Sequence, residues 1–450
     1  MQPGDVLRGG RYEIQRLLGS GLDKKVYLGV DLSLGHQVAI DVFNNNNPVT
    51  PGGMTVSAWE ARVLGRLGNH PNIATVQEHW EDDGTAVMVT RYLPGGSLRD
   101  RIVRARESGE PITLDVIVRI STEIARGLAY IHGRRILYRD LQPRNVLFDE
   151  WGTVHLVDFD TAVSLDDEHM SDLSERPDVD YMAPEVAEGR RADERADLYS
   201  LGVTMFEMCE GRVPFGTRDE IPAGHHGVPV PTPARSDLPD AVRRLVHQLL
   251  EPAPEARPAS ATDAVDALTN VRTMREDIGR LLTSDESTVL EFKATLRVPV
   301  GPPLPGDKRP AREIEQRLEH EVLKTLAAFL NTDGGTLIIG VADDKSIVGI
   351  EEDFPRTKGS ADGWRRTLDD VVSHRLGHEV MSFIDLRLEP WDGKTIALIR
   401  CSRRDEPTWI DDELYIRRTA STEKLSSRHA LAWWRQHWAS DPSESAAFRR

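Results

Sequence analysis

The chain has 450 residues with an ordinary apolar share of 39%, enough for two or three domains with cores of their own. Its two cysteines, Cys209 and Cys401, stand far apart in no ligand spacing, which argues against a disulfide framework or a zinc knuckle. The net charge is -17: residues 281–450 hold 25 Lys and Arg against 29 Asp and Glu, or -4, leaving -13 for residues 1–280, so neither part is the basic body of a sequence-reading DNA binder.

In chain order, residues 11–43 read as a meander of strands, RYEIQRLL, KVYLGV and HQVAIDVF. The run NNNNPVTPGG, Asn44 to Gly53, is a loop, because Asn, Pro and Gly favour turns over ladders. Trp59, Val63, Leu64 and Leu67 then recur at helical spacing, followed by the strands ATVQEHW and AVMVTRY. Ile117, Ile120, Ile124, Leu128 and Ile131 mark a long helix from Leu114, with mostly helical chain to about residue 270 and a short linker over 271–284. A different composition begins near Asp285. It holds a Pro- and Gly-rich loop, a helix carrying Ile314, Leu318, Val322 and Phe329, and the strand TLIIGV. A helix from Trp364 to Leu376, the strand pair FIDLRLE and TIALIR, and a helix containing LAWWRQHW complete it, before a tail over 441–450. No apolar run approaches the ~20 residues of a membrane span and no charged-then-apolar leader opens the chain, so the expectation is a soluble, cytoplasmic protein.

Motif order carries the first functional reading. The hairpin GSGLDKKVYLG (Gly19 to Gly29) is followed by VAID, by Glu60 on a helix, and by YRDLQPRN, VDFD, YMAPE, ADLYSLGV and EPAPEARP. Residues 8–270 thus resemble the eukaryotic-type Ser/Thr protein kinase fold, a β-rich N-lobe to about residue 93 and a helical C-lobe beyond it. The resemblance implies ATP and magnesium. Asp140 would take the substrate hydroxyl proton, Asn145 and Asp158 would hold the metal, and Gly19, Gly21, Val26 and Ala39 would contact the nucleotide. Arg139 would pair with a phosphorylated residue of the activation segment, where Ser164, Ser171 and Ser174 are available. Glu185 and Arg257 match an architectural ion pair.

Three positions depart from that family. Asp41 replaces the phosphate-gripping lysine, Gln142 the catalytic-loop lysine, and Asp160 the last glycine of the magnesium motif. Asp41 would sit near Glu60 and Asp158, and three carboxylates do not cluster without shifted protonation or a cation. Lys24 and Lys25 are the only lysines before Lys293. Residues two apart on a strand share a face, so if Val26 faces the nucleotide, Lys24 does too and Lys25 faces solvent. The with-no-lysine kinases resemble this arrangement, and Lys24 would reach the phosphates and Glu60 from there.

SDESTVLEFK, AAFLNTDGGTLIIGVADD and ELYIRRTASTEKL, in that order, resemble the Schlafen/AlbA-type domain over residues 285–440. The fold class expected of the whole is therefore α/β multidomain, a bilobal kinase fold followed by an α+β domain. The ribonucleases of that family imply Glu286, Glu291 and Asp343 as ligands of Mg²⁺ or Mn²⁺, with Lys293 on the scissile phosphate. An unbroken strand would turn Glu286 away from Glu291, so a shared ion requires a bend between them. Asp344 competes for the third place. Arg417 and Arg418, with Arg365 and Arg366, are candidates for RNA phosphate contacts. Trp433, Trp434 and Trp438 read as core packing or a dimer face, and a homodimer would form the groove that two-copy relatives build within one chain. The leading expectation is a metal-dependent endoribonuclease against tRNA or similar RNA controlled by the kinase-like half, as a stress or phage-defence effector; the alternatives are a signalling kinase with a nucleic-acid-binding module and a silent ATP-sensing scaffold.

Overall fold

The structure, a computed structural model, describes residues 1–21, 24–44, 53–82, 84–166, 179–216, 228–300, 310–426, 428–430 and 432–433. Two compact units divide the chain, Met1–Arg235 with Asp240–Thr273, and Met274–Arg450 with Ser236–Pro239.

The first unit opens with β1 (Val6–Leu7), β2 (Tyr12–Ser20), β3 (Lys24–Asp31) and β4 (His36–Phe43), then α1 (Val56–Leu67), β5 (Val76–Asp82) and β6 (Thr85–Arg91). The strands make one antiparallel sheet in the order β1-β2-β3-β4-β6-β5. Period-2 alternation turns Tyr12 and Ile14, Val38 and Ile40, and Val87 and Val89 into one core, closed by Tyr27 and Trp80. Thr55 caps α1 by accepting from the Ala58 N–H, and Trp59, Val63, Leu64 and Leu67 are its buried stripe.

The helical part holds α2 (Leu98–Ser108), started by a Ser97–Asp100 capping box, and α3 (Leu114–His132). The expected α3 stripe, Ile117 through Ile131, is fully buried. Between α3 and α4 (Pro184–Ala187) lie β7 (Ile136–Leu137), β8 (Val146–Phe148), β9 (Val154–Leu156) and β10 (Val163–Ser164), paired β7 with β10 and β8 with β9. Two or three residues are too short for a strand period, so the sequence reading missed them. There follow α5 (Arg195–Glu210), α6 (Asp240–Leu249) and α7 (Ala261–Thr283). Glu185 and Arg257 form a buried two-pronged ion pair at 2.7 and 2.9 Å, and the guanidinium also donates to three backbone carbonyls, so every N–H of the buried fork has a partner in the fold.

The stretch 271–284, expected as a linker, is helical as far as Thr283, the second half of α7. Its Ile278 and Leu282 belong to the core of the second unit, which is why the helix persists there. That unit's main sheet has the order β11-β12-β14-β13, from β11 (Leu290–Lys293), β12 (Gly335–Ile339), β13 (Ile384–Trp391) and β14 (Lys394–Cys401). β11 and β12 run parallel, which requires a crossover, and α8 (Ala311–Leu330) lies between them in the chain. Leu337, Ile339, Ala397 and Ile399 face α8 and α9 (Ala361–Leu376) on one side. Ile338, Ile396 and Leu398 join Leu290, Phe292 and α7 on the other. A separate sheet, β15 (Trp409–Ile410), β16 (Glu413–Arg418) and β17 (Ser421–Leu425), packs Leu414, Ile416 and Leu425 with Ala430 and Trp433. Trp433 thus serves packing; Trp434 and Trp438 lie outside the described residues. Among the described residues no helix is long and apolar enough to cross a membrane.

Candidate functional site

Lys24 begins β3 and faces α1. Its Nζ lies 3.0 Å from Glu60 Oε2 and 2.8 Å from Asp158 Oδ1, while Lys25 is exposed, the alternation expected of the strand. Asp41 sits on β4 opposite Val26 and is 8% exposed. Glu60 also accepts from the Phe159 N–H at 3.0 Å, and the Trp59 indole N–H donates to Ala162 O at 2.8 Å, so α1 is tied to the segment after Asp158 at two successive residues. Burial works against the charge on Lys24, but Asp158, Glu60, Asp41 and Asp160 together hold its pKa well above the ordinary lysine value.

The carboxylates carry the opposite strain. Burial, then Glu60 and Asp158, lift Asp41 to about 7 against the pull of Lys24. Burial and Asp158 push Asp160 up to about 9. Glu60 is raised as well, by burial first. Because the folded state prefers Asp41 protonated, the unfolded chain releases that proton near pH 4 and the folded chain near pH 7. Stability is therefore lost as pH rises between those values and stays reduced above. The Asp41→Asn variant, measured by thermal melts without nucleotide, is expected to gain nothing at pH 4 and an advantage growing to a few kcal/mol by pH 7, then level, at 1.36 kcal/mol per pKa unit. A constant difference across pH would contradict this.

On the loop after β7, Asp140 receives hydrogen bonds from Gln142 Nε2 and Asn145 Nδ2, each at 2.6 Å. Burial, and then Asp158, raise its pKa, while Arg144 and these two donors oppose the shift. Arg139 and Asp158 both adopt the left-handed region, φ 70° and 62°. Asp197 of α5 holds the first of these by accepting from the N–H groups of Tyr138 and Arg139 at 2.9 and 2.7 Å, with His132 at 2.8 Å. The sequence reading quoted the Asp197 motif but gave this residue no role.

Gly19 pairs with Val26, and the Gly21 N–H donates to Lys24 O at 2.8 Å. Neither has positive φ, and a Cβ on Gly19 would meet no protein atom within 4 Å. Protein packing does not account for that glycine, whereas a phosphate approaching the backbone would. Val26 and Ala39 are half-buried on β3 and β4. Asn145 and Asp158 supply oxygen donors of the kind a divalent ion takes, although among the described residues no group of three His, Cys, Asp or Glu is gathered there to hold one. Ser164 does not fit a phosphate acceptor. It is 8% exposed in β10, with Oγ 3.4 Å from Arg66, and Ser171 and Ser174 lie outside the described residues.

In the second unit the required bend exists. Ser287 N–H donates to Leu290 O at 2.9 Å, and this turn brings Glu286 Oε1 to 3.0 Å from the Phe292 N–H. The metal ligands nevertheless do not assemble. Glu291 is buried; Oε1 accepts from Lys293, and Oε2 lies 2.8 Å from Arg417 Nη1, a charge contact off the hydrogen-bond direction. Asp343 is exposed, and Asp344 turns onto Ser346 of its own loop. Among the described residues no three His, Cys, Asp or Glu are grouped to hold an ion. The expected convergence of Glu286, Glu291 and Asp343 is thus corrected: two cations already compensate the central carboxylate.

Arg417 is corrected too. Its side chain is 1% exposed and its guanidinium donates to Ser287 O at 2.6 Å and Thr422 Oγ1 at 3.2 Å, so it braces the turn and is not presented to RNA. Arg418 is exposed, 3.4 Å from Glu423, and Arg365 and Arg366 are exposed on α9. Sequence reasoning also missed Asp353, a fully buried carboxylate accepting from the N–H groups of Leu296, Arg297 and Val298 and from the Trp364 indole. Nothing in its EED context sets it apart.

Comparison with known proteins agrees with this geometry. The protein kinase domain family matches residues 12–268, and the Schlafen AlbA_2 family residues 286–426. The chain is similar to Serine/threonine-protein kinase pkn2 of Myxococcus xanthus, 32% identical over 281 residues, 60% of this chain and 33% of that protein. It is also similar to Serine/threonine-protein kinase PrkC of Bacillus subtilis, 28% over 259 residues (56% and 39%), and PknA of Mycobacterium tuberculosis, 31% over 277 residues (60% and 63%). The matched stretch spans less than two thirds of each of these relatives. With a helical lobe behind a curled sheet, and an α+β unit after it, the chain belongs to the protein kinase family and carries a Schlafen AlbA_2 domain C-terminal to its kinase domain.

Proposed function

We infer that residues 1–270 bind ATP and transfer its terminal phosphate to a serine or threonine, and that residues 285–440 engage nucleic acid. The observation carrying this is Lys24 Nζ between Glu60 and Asp158, which supports a lysine on β3 acting where the family uses one on β4. The substrate hydroxyl oxygen attacks the γ-phosphorus, the bond from that phosphorus to the bridging oxygen breaks, ADP leaves with the electron pair, and the hydroxyl proton passes to Asp140. Gln142 and Asn145 orient the Asp140 carboxylate for that proton. Lys24 supplies positive charge to the phosphates, and Glu60 keeps its ammonium in place. Magnesium, held by Asn145 and Asp158, would neutralise charge on the β- and γ-phosphates. ATP with magnesium should raise the melting temperature of the first unit, and label should move to protein from γ-labelled but not α-labelled ATP. No shift and no transfer would remove the reading.

The bend at Ser287–Leu290 favours a second reading, endoribonuclease action on tRNA or similar RNA, because it brings Glu286 beside β11. Incubating the full chain with total tRNA, with and without Mn²⁺, tests it; discrete fragments support it and intact tRNA in both rejects it.

A further inference from the structure

The first unit is strongly acidic overall and Asp158 and Asp160 lie near Asp140, yet arginines stand on the loop that follows Asp140 and on the helix packed against it. Arg144, on the Pro143–Asn145 turn, is exposed and close enough to Asp140 to draw its pKa down against burial and Asp158. Helix α2 packs against that turn and carries Arg99, Arg101 and Arg104. The Arg101 guanidinium lies 3.3 Å from the Phe148 ring centroid, and burial, then Arg119 and Arg104, lower its pKa, a mark of gathered like charge. Arg99 instead pairs with Glu207 of α5, whose other oxygen accepts from the Tyr181 hydroxyl at 2.5 Å, so its charge is compensated within the fold.

Of these arginines, Arg99 pairs with the buried Glu207 and Arg101 packs on the Phe148 ring, while Arg104 and Arg144 are exposed. Helix α2 buries only Leu98 and Ile102, and like charges three or four residues apart cost a helix a few tenths of a kcal/mol each. Their planar forks match carboxylates in two-pronged fashion. A peptide whose hydroxyl meets Asp140 extends ~3.3 Å per residue, so its near neighbours pass over Arg144 within one or two positions.

We propose that the kinase half selects acidic protein segments, with Arg144 and Arg104 of α2 recognising carboxylates that flank the target serine or threonine. This rests on the phosphotransfer reading above. Long-range attraction also speeds encounter, an effect that salt screens.

The test uses the full chain, magnesium and ATP, and three matched serine peptides flanked by glutamate, alanine or arginine. The glutamate peptide is expected to show a KM about tenfold or more below the arginine peptide, with kcat changed less, and the gap should shrink at 0.5 M salt. Arg144→Glu should reverse or abolish the order while nucleotide still raises the melting temperature, and Arg104→Glu provides a second variant remote from Asp140. Equal KM values across the peptides, or an order indifferent to both variants, overturns the inference and leaves phosphotransfer standing. Absence of transfer to every peptide removes phosphotransfer and this inference together.

Discussion

Replacing Lys24 by methionine is expected to lower phosphate transfer by 10²–10³-fold, the loss seen when one preorganised charge-stabilising group is removed. The ammonium supplies more than a phosphate contact. Without it, Glu60, Asp158 and Asp41 are left with no cation between them, and the already raised pKa values of Glu60 and Asp41 should rise further. Nucleotide binding should weaken for the same reason, so the ATP-dependent thermal shift shrinks alongside the transfer rate. The decisive companion is the double variant Lys24→Met with Asp41→Lys. Position 41 lies opposite Val26 on the neighbouring strand, is buried, and interacts with the same carboxylates. A lysine there should recover a substantial part of the lost activity. Label transfer indifferent to Lys24→Met, measured beside an Asp140→Asn control, would show that the cleft does not depend on the relocated cation.

The second large effect lies in the C-terminal unit. Arg417→Met removes one of the two cations beside a buried carboxylate, Lys293 being the other, and frees the Ser287 carbonyl; breaking a buried pair outright from one side costs about 3–5 kcal/mol, and the loss here is expected somewhat below that. Arg417→Lys should recover little, because one ammonium cannot span Glu291, Ser287 O and Thr422 Oγ1. Pairing Arg417→Met with Glu291→Gln removes the carboxylate that Lys293 alone would then have to compensate and should restore part of the stability. Thermal melts with and without ATP separate the units, since ATP should move only the kinase transition. If Arg417→Met melts like the wild type, Arg417 is not the brace its burial implies. The same geometry bears on the ribonuclease test. A Glu291→Ala variant is expected to lose the turn as well as a carboxylate, so lost cleavage identifies a catalyst only where the melting curve is unchanged.

Much was determined by sequence alone. The order of kinase motifs, the period-2 strands of the N-lobe and the 3.6-residue stripe of α3 are local signals, each readable within a window of a dozen residues. The direction of Lys24 was readable for the same reason, since alternation along β3 ties it to Val26. The Ser287–Leu290 bend was anticipated as a geometric requirement of two glutamates five apart.

What only the tertiary structure decided depends on partners distant in sequence. Arg417 and Arg418 are adjacent basic residues on β16, and nothing local says which turns inward. The answer is set by Glu291, 126 positions earlier, and by the Ser287 carbonyl, which together compensate a buried guanidinium. Asp353 is likewise one acid among three until backbone N–H groups from residues 296–298 converge on it. The extent of α7 was hidden because its last turns persist by packing on the C-terminal sheet, and packing against remote residues leaves no periodic trace strong enough to outweigh interspersed charge. Charge compensation in a buried space is a property of the assembled fold, and it is what moved Glu291 from expected metal ligand to ion-pair partner.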